Sequence, residues 1–447
     1  MTHTFATSPL GTSTFTTGRR ALPLGLIGLG AAAVVLLWWR STAAVAGADG
    51  WLTEAGRLTG LLAAYGLAVL IALMARVPWL ERGVGTDRLT RWHATGGRYV
   101  IGLSVAHALT VIWGYALADG KDVAGETVTM VLTFPDVLKA TVALLLLVGI
   151  AAVSARRARA RMRYETWYLL HFYTYLAAWL AFGHQLATGA QFAGDPFARA
   201  AWYALYLGVA ALLVWYRVLA PVRLSLRHRM RVAAVTAEAP GVVSIHITGR
   251  DLGALRAEAG QFFRWRFLAR GLWWSANPYS LSAPPTDEGL RITVKALGDH
   301  SAALARLRPG TRVFAEGPYG AFTGRLRSRE RVVLIAGGVG ITPLRALYES
   351  LPGRPVLLYR ARSEDDLVFR RELEHIAAAR GAELHYSVGP RAASRAFEPG
   401  VLDQVVPGLR HCDAYVCGPP EMTREAIGAL RAAGVPKRRI HHESFEF

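Results

Sequence analysis

The feature that most limits what this chain can fold into is a first half made of six apolar stretches. They lie at about residues 21–39, 58–77, 92–117, 137–153, 166–187 and 200–219. Each is roughly 17–26 residues long, enough at ~1.5 Å per residue to cross ~30 Å of hydrocarbon. Inside hydrocarbon every backbone N–H and C=O must be satisfied within its own segment, so the expectation is a bundle of six transmembrane helices. From about residue 223 onward, charged and apolar residues interleave and the chain reads as water-soluble.

The formal net charge is +19. A surplus of that size can serve nucleic acid, but its placement argues for a membrane instead. Arg19 and Arg20 precede the first span, and Arg76, Arg82, Arg88 and Arg91 lie between the second and third. Arg156, Arg157, Arg159, Arg161 and Arg163 lie between the fourth and fifth, and Arg217, Arg223, Arg227, Arg229 and Arg231 follow the sixth. The alternate loops carry Glu54, Asp119, Asp122, Glu126 and Asp195. The positive-inside rule then puts both termini and the soluble half in the cytoplasm of a multi-pass plasma-membrane protein. Basic loops next to the bilayer also suit anionic lipid. The Thr-rich residues 1–20 read as a disordered cytoplasmic tail. Arg19-Arg20 ahead of an apolar run reads as the start of the first span, with a cleaved export signal as the alternative.

Of the 13 histidines, four fall inside the spans, and all four lie on two of the six. His93 and His107 are 14 residues apart on the third span; His171 and His184 are 13 apart on the fifth. Each pair covers roughly 20 Å of helix axis. Side by side, the two helices would face His93 with His171 at one depth and His107 with His184 at another. Ionisable residues in a membrane are costly and usually functional. Two imidazole pairs at two depths suit the iron of two stacked haems, and hence an electron conduit; the alternative is four core histidines bonding between helices. Fourteen residues return to nearly the same helix face, whereas 13 land about 140° away. The fifth span should therefore be bulged, kinked or tilted between its histidines, with Gly183 a candidate. The two cysteines, Cys412 and Cys417, are too few for an iron–sulfur cluster or a structural zinc.

In the soluble half, residues 223–325 read as short strands with turns: Val242–Thr248, Gln261–Phe267, Leu290–Ala296 and Arg312–Ala315. That pattern predicts a small antiparallel β-barrel. Residues 326–447 alternate strand and helix, which predicts an α/β parallel sheet. There Gly337-Gly338-Val339-Gly340-Ile341-Thr342-Pro343 follows the apolar run Val332–Ala336 and opens a helix. Such glycines let backbone N–H groups approach a pyrophosphate at a helix N-terminus. A 2′-phosphate needs cationic partners, and Arg360 and Arg362 follow the second strand, which favours NADPH with NADH as the alternative.

The spacing of the four histidines resembles the ferric reductase / NADPH oxidase superfamily, a six-helix di-haem membrane domain fused to a ferredoxin–NADP reductase-like module. The resemblance covers about 21–447. It implies two b-type haems, the inner on His93 and His171 and the outer on His107 and His184, with Arg57 near the outer one; the alternative for Arg57 is an interfacial side chain snorkelling to headgroups. The superfamily's oxidases carry a further histidine where this chain has Val111. Asn277-Pro278-Tyr279-Ser280-Leu281-Ser282 resembles the reductase superfamily's flavin-binding strand, with Asn277 replacing an Arg or His. The resemblance implies that Tyr279 packs on FAD and that Ser280 and Ser282 belong to the same strand. It also implies that Lys295, Gly298 and Ser301 belong to the segment opening the helix that holds the FAD pyrophosphate. The glycine loop, with Gly337, Gly338, Gly340 and Thr342, matches the superfamily's nucleotide loop. Cys417-Gly418-Pro419-Pro420 matches a later strand end, where the thiol lies near the nicotinamide; without that context Cys417 reads as a buried apolar thiol, and Cys412 is read as structural. A terminal aromatic often covers the flavin, which points to Phe447, or to Phe445.

The resulting expectation divides the chain into a tail (1–20), a di-haem bundle (21–222), an FAD barrel (223–325) and an NAD(P) domain (326–447). The expected reaction passes electrons from cytoplasmic NAD(P)H through FAD and two haems to an external ferric chelate. One alternative is reduction of O2 to superoxide; another is a membrane-anchored flavin reductase with no haem conduit.

Overall fold

A computed structural model describes residues 15–42, 45–159, 161–162, 164–390 and 400–443. The chain forms two compact units, one over Thr14–Leu80 and Arg88–Trp215, the other built mainly on Tyr216–Phe447.

The first unit is helical. Among the described residues five helices are long and apolar enough to cross a membrane: Leu22–Arg40, Gly47–Leu73, Arg88–Asp119, Val137–Ser154 and Pro196–His228. Leu109, Trp113, Leu145, Trp179 and Leu207 stand on the outside of the unit, as side chains facing lipid would. The fifth expected span, 166–187, is two helices, Tyr164–Phe172 and Thr174–Thr188, of 9 and 15 residues. The break falls at Tyr173, ten residues before Gly183. There Tyr173 N–H turns back to the Leu170 carbonyl at 3.1 Å, a three-residue closure. The Thr174 hydroxyl takes the His171 carbonyl at 2.8 Å, so a side chain competes for an acceptor of the helix ladder. The longer piece packs on Val137–Ser154 through Ala177, Ala143 and Leu147, where small side chains allow close approach.

The second unit begins with two three-stranded antiparallel sheets, ordered β1-β2-β5 and β4-β3-β6. The strands are β1 (Arg231–Ala239), β2 (Val242–Thr248), β3 (Phe262–Phe267), β4 (Asn277–Ser280), β5 (Gly289–Lys295) and β6 (Val313–Tyr319). Single bridges, Arg231 with Arg312 and Leu281 with Ile292, join the two sheets. Alternation within β2, β3 and β5 sends Ile245, Ile247, Phe263, Trp265, Phe267, Ile292 and Val294 into one core.

A five-stranded parallel sheet follows, ordered β11-β10-β7-β8-β9. Its strands are β7 (Val332–Gly337), β8 (Val356–Ala361), β9 (Glu383–Val388), β10 (Asp413–Cys417) and β11 (Ile440–Glu443). The central strands β7 and β10 are buried along their whole length, as expected of strands covered on both faces. Leu334, Ala336, Tyr359, Tyr415 and Cys417 pack on one side with helix Ile341–Ser350. Val333, Ile335, Ala414 and Val416 pack on the other with helix Pro420–Ala432. Strands β1 and β11 were not anticipated: β1 is half-exposed with blurred alternation, and β11 is only four residues long.

Asp413, fully buried at the start of β10, accepts from the backbone N–H of Ser328 and Arg329, each at 2.6 Å. Burial opposes its charge, but His441, these amides and the Ser328 hydroxyl outweigh it and hold the carboxyl below its ordinary value. Its stabilisation is therefore complete above the ordinary aspartate range near 3.9 and is lost as pH falls through the depressed value. Asp413→Ala should cost about 2–4 kcal/mol, because a buried carboxylate and its two charge-assisted backbone hydrogen bonds are lost. Chemical denaturation at neutral pH would measure this loss.

Candidate functional site

Helix Thr86–Asp119 carries His93 and His107 to two levels of the bundle, and the broken fifth span brings a partner to each. The His93 and His171 ring centroids are 5.8 Å apart, and those of His107 and His184 are 6.1 Å apart. One metal ion holding two imidazole nitrogens on opposite sides, at ~2 Å each, places the ring centroids about 6 Å apart. Both pairs are thus spaced so that each could hold one iron between its two rings, and are too wide for a direct hydrogen bond between the rings.

The outer faces of the rings are held. His93 Nδ1 bonds the Leu70 carbonyl at 3.1 Å, and His107 Nδ1 bonds the Gly56 carbonyl at 2.7 Å. Those carbonyls are 14 residues apart on helix Gly47–Leu73, the spacing of the two histidines themselves. His184 Nδ1 meets the Thr188 hydroxyl at 3.0 Å, and His171 Nδ1 meets the Ser154 hydroxyl at 3.5 Å. Trp167 stacks on His171 at 5.2 Å and donates to the same Ser154 hydroxyl at 3.1 Å. In all four rings the bond to the surroundings is made by Nδ1, which leaves Nε2 to face a metal. A bond at one nitrogen sets the tautomer and basicity of the other.

Gly60 lies flush against His107: a Cβ there would stand 2.6 Å from its Nδ1. Gly60→Leu should push the His107 ring off its axis while the His93 level stays intact. Selective weakening of one haem, by tenfold or more in retention, is the expected result in a haem-to-protein titration. The partners Gly56, Gly60, Leu70, Ser154 and Trp167 carry no signal in the sequence. Thr188, one turn after His184, could have been found by helical spacing.

Arg57 pairs with buried Glu54, which also accepts from Trp38 Nε1 at 3.0 Å and Thr42 Oγ1 at 3.2 Å. Val45, Asp49, Thr53, Glu54, Arg57 and Tyr115 line a cavity of about 350 Å³ at this end of helix Gly47–Leu73. Val111 sits against Gly56, one turn beyond His107.

In the second unit, Tyr279 and Ser280 lie on β4, paired with Phe263 and Phe262 of β3. Burial pushes the Tyr279 phenol up to about 12, so it stays protonated at physiological pH. The Ser282 hydroxyl accepts from Thr293 Oγ1 at 2.8 Å and Arg291 Nε at 3.2 Å, which ties this segment to β5. Lys295 pairs with Asp366 at 3.4 Å. Ser301 Oγ accepts from the N–H groups of Leu297 and Gly298 at 2.9 and 3.0 Å. Asn277 Nδ2 lies 2.9 Å from His300 Nδ1, so His300 stands beside the position where the resemblance expects an Arg or His.

The nucleotide motifs converge at the C-terminal edge of the parallel sheet, where α/β folds bind ligands. Register places Gly337 beside Arg360, and Ala336 beside Cys417. Arg362 is exposed one residue beyond β8. Gly338 has φ +53°, and a Cβ there would meet nothing within 4 Å, which leaves space for an anion next to the chain. At Gly340 a Cβ would collide with the Cys417 carbonyl, so this glycine lets the loop close on Cys417-Gly418. Thr342 Oγ1 donates to the Val339 carbonyl at 3.0 Å, and Thr423 Oγ1 donates to the Gly418 carbonyl at 3.2 Å. Cys417 and Cys412 are both buried, and burial raises the Cys412 thiol. Phe445 and Phe447 lie outside the described residues.

An imidazole pair at each of two bundle levels and a glycine loop at a parallel-sheet edge lie in two parts of the chain that each match a known family. Residues 59–182 match the family described as ferric reductase like transmembrane component, and residues 334–427 match the oxidoreductase NAD-binding domain. The chain thus has the fused architecture of the ferric reductase / NADPH oxidase superfamily.

It is 32% identical over 233 residues to the ferredoxin reductase component of 3-ketosteroid-9-alpha-monooxygenase from Mycolicibacterium smegmatis, covering 48% of this chain and 65% of that protein. It is 34% identical over 231 residues to a flavohemoprotein of Pseudomonas aeruginosa, covering 48% of this chain and 58% of that one. The chain therefore spans under two thirds of the length of these relatives. Among solved structures it is similar to the FAD/NAD-binding domain of nitric oxide dioxygenase from Vibrio cholerae. The TM-score is 0.42 at 25% identity, over 49% of this chain and 99% of that one.

Proposed function

We propose that the protein is a transmembrane flavocytochrome that passes electrons from cytoplasmic NAD(P)H to an acceptor on the opposite side of the plasma membrane, a ferric chelate in the first instance. The observation that carries this reading is the pair of imidazole couples, 5.8 and 6.1 Å apart by centroid, each ring held through Nδ1. When bound, FAD takes a hydride from the nicotinamide and releases electrons singly, and the two b-type haems carry them across the bilayer.

The chain's own residues bind and orient these groups. His93 and His171 hold the inner haem, and His107 and His184 the outer. Tyr279 and Ser280 seat the flavin, with Ser282 and Lys295 bracing the strand behind it and Gly298 and Ser301 shaping the turn at the FAD phosphates. Gly337, Gly338, Gly340 and Thr342 form the pyrophosphate cradle of the coenzyme. Cys417 and Gly418 flank the nicotinamide, Arg360 and Arg362 meet the 2′-phosphate of NADPH, and Phe447 covers the flavin. Residues 21–222 are the di-haem domain, 223–325 the FAD domain and 326–447 the NAD(P) domain. Both termini face the cytoplasm.

At the outer end, Arg57 is committed to Glu54 and Val111 presents an apolar side chain near His107. Val111 offers no donor to reduced oxygen where the superfamily's oxidases carry a histidine, which supports a ferric chelate over O2 as acceptor. A reduced-minus-oxidised spectrum of the purified protein tests the conduit: two low-spin b haems with flavin support it, and flavin alone makes the bundle a mere anchor. Superoxide and Fe(III)-chelate reduction measured side by side then decide the acceptor.

A further inference from the structure

We infer that Glu372 is a positioning residue for hydride transfer, a single carboxylate that fixes the flavin-binding strands against both elements that carry the coenzyme. The inference rests on the proposed binding of FAD and NAD(P)H and is independent of the haems. Glu372 lies in the first turn of helix Arg370–Arg380, and one of its oxygens, Oε1, accepts from two guanidinium groups. Arg291 Nη1, on β5, donates at 3.0 Å. Arg345 Nη2, on helix Ile341–Ser350, is the second donor.

Each donor leads to a different part of the site. Arg291 is held by the segment after β4: its Nε donates to the Ser282 hydroxyl at 3.2 Å and its Nη2 to the Ser282 carbonyl at 2.8 Å. Ser282 follows Ser280 by two residues, and its hydroxyl is also fixed by Thr293, which bonds Ser244 of β2 at 2.7 Å. Arg345 comes three residues after Thr342, on the helix that the glycine loop opens. Helix Arg370–Arg380 follows β8 and the loop that carries Arg362. The flavin strand, the helix behind the glycine loop and the helix behind the Arg362 loop therefore meet at one oxygen atom.

Apolar packing alone would not fix this arrangement. Val242, Ala259 and Phe322 of the antiparallel module share one cluster with Leu344 and Leu347. Burial of that kind is non-directional, so it holds two surfaces together without setting how far one slides over the other. A hydrogen-bonded ion pair is directional, and burying it costs desolvation, so what it adds here is specificity of arrangement rather than stability. Arg345 is buried, and its Nη1 is met by Glu349 at 2.6 Å. Lys295 and Asp366 cross the same seam at 3.4 Å, but both are more than a third exposed, and such a pair holds weakly. Phe369, buried just before helix Arg370–Arg380, has φ +66° and carries the Arg291 guanidinium 4.9 Å from its ring. A bulky residue keeps that backbone only where its surroundings over-determine it.

The test uses the full chain loaded with FAD. Glu372→Gln keeps the size of the side chain and removes its charge. Flavin reduction at saturating NADPH, read by stopped flow, should slow by at least about tenfold, toward the ~100-fold that a 1 Å misplacement costs. Half-saturation should stay within about threefold of native, because the glycine loop is untouched. Without coenzyme, amide hydrogen exchange should quicken over residues 281–295 and 370–380 and stay native in β7 and β10. An Arg345→Met, Glu372→Leu double variant replaces the buried pair by apolar side chains, which restores thermal stability but not direction, so it should remain as slow. A double variant with native stability and native flavin reduction would overturn the proposal, since the pair would then only hold the fold. So would a native rate in Glu372→Gln, or a raised half-saturation with an unchanged limiting rate, which would make the carboxylate a coenzyme contact. A native protein whose flavin takes no electrons from NADPH or NADH would instead refute the proposed function itself.

Discussion

His107→Ala or His184→Ala should leave one of the two proposed haems, with the outer centre missing. His93→Ala or His171→Ala should remove the inner centre instead. Removing either histidine of a pair would take away one of the two imidazoles proposed to hold that haem. Because the outer rings hang on Gly56 and Thr188 while the inner rings hang on Leu70 and Ser154, the two levels should fail separately. Transmembrane reduction of the acceptor should fall by at least two orders of magnitude in each variant, since either gap breaks the path. NAD(P)H-driven reduction of ferricyanide by the flavin should persist. Pyridine-haemochrome analysis with redox titration reads the result, and retention of two haems in any of the four variants would refute the ligand assignment.

Gly338→Trp should leave FAD in place and abolish its reduction by coenzyme. The position has φ +53°, where a side chain costs about 1–2 kcal/mol, and its open space is where the phosphates would approach the backbone. The indole would occupy that space. A loss on the order of 100-fold in kcat/KM for NADPH, with flavin content unchanged, is expected from stopped-flow reduction. Dithionite should still reduce flavin and haem alike. Native kinetics in this variant would mean that the coenzyme binds elsewhere.

Much of this was legible from local pattern. A lipid-crossing helix is announced by length and apolarity, and buried parallel strands such as Val332–Ala336 by unbroken hydrophobic runs, because both are properties of a short window. The edge strands β1 and β11 were not legible: one is blurred in alternation and the other is four residues long, and pairing with a neighbour made them strands. The fifth span shows the boundary between the two kinds of information. Thirteen residues between His171 and His184 demanded some break in the helix, since 13 is out of phase with 3.6 residues per turn. Where it fell, at Tyr173 rather than near Gly183, was decided by the Thr174 hydroxyl taking the His171 carbonyl.

By itself, then, the sequence determined the number and kind of chemistry-bearing residues, their depth along each helix and the order of the motifs, all of which follow from spacing along one chain. Only the tertiary structure decided what holds them. The carbonyls of Gly56 and Leu70, the hydroxyls of Ser154 and Thr188, and His300 beside Asn277 come from segments remote in sequence or carry groups common to many residues. A backbone carbonyl has no sequence signature, so the partner that orients each imidazole becomes visible only when two helices are packed together.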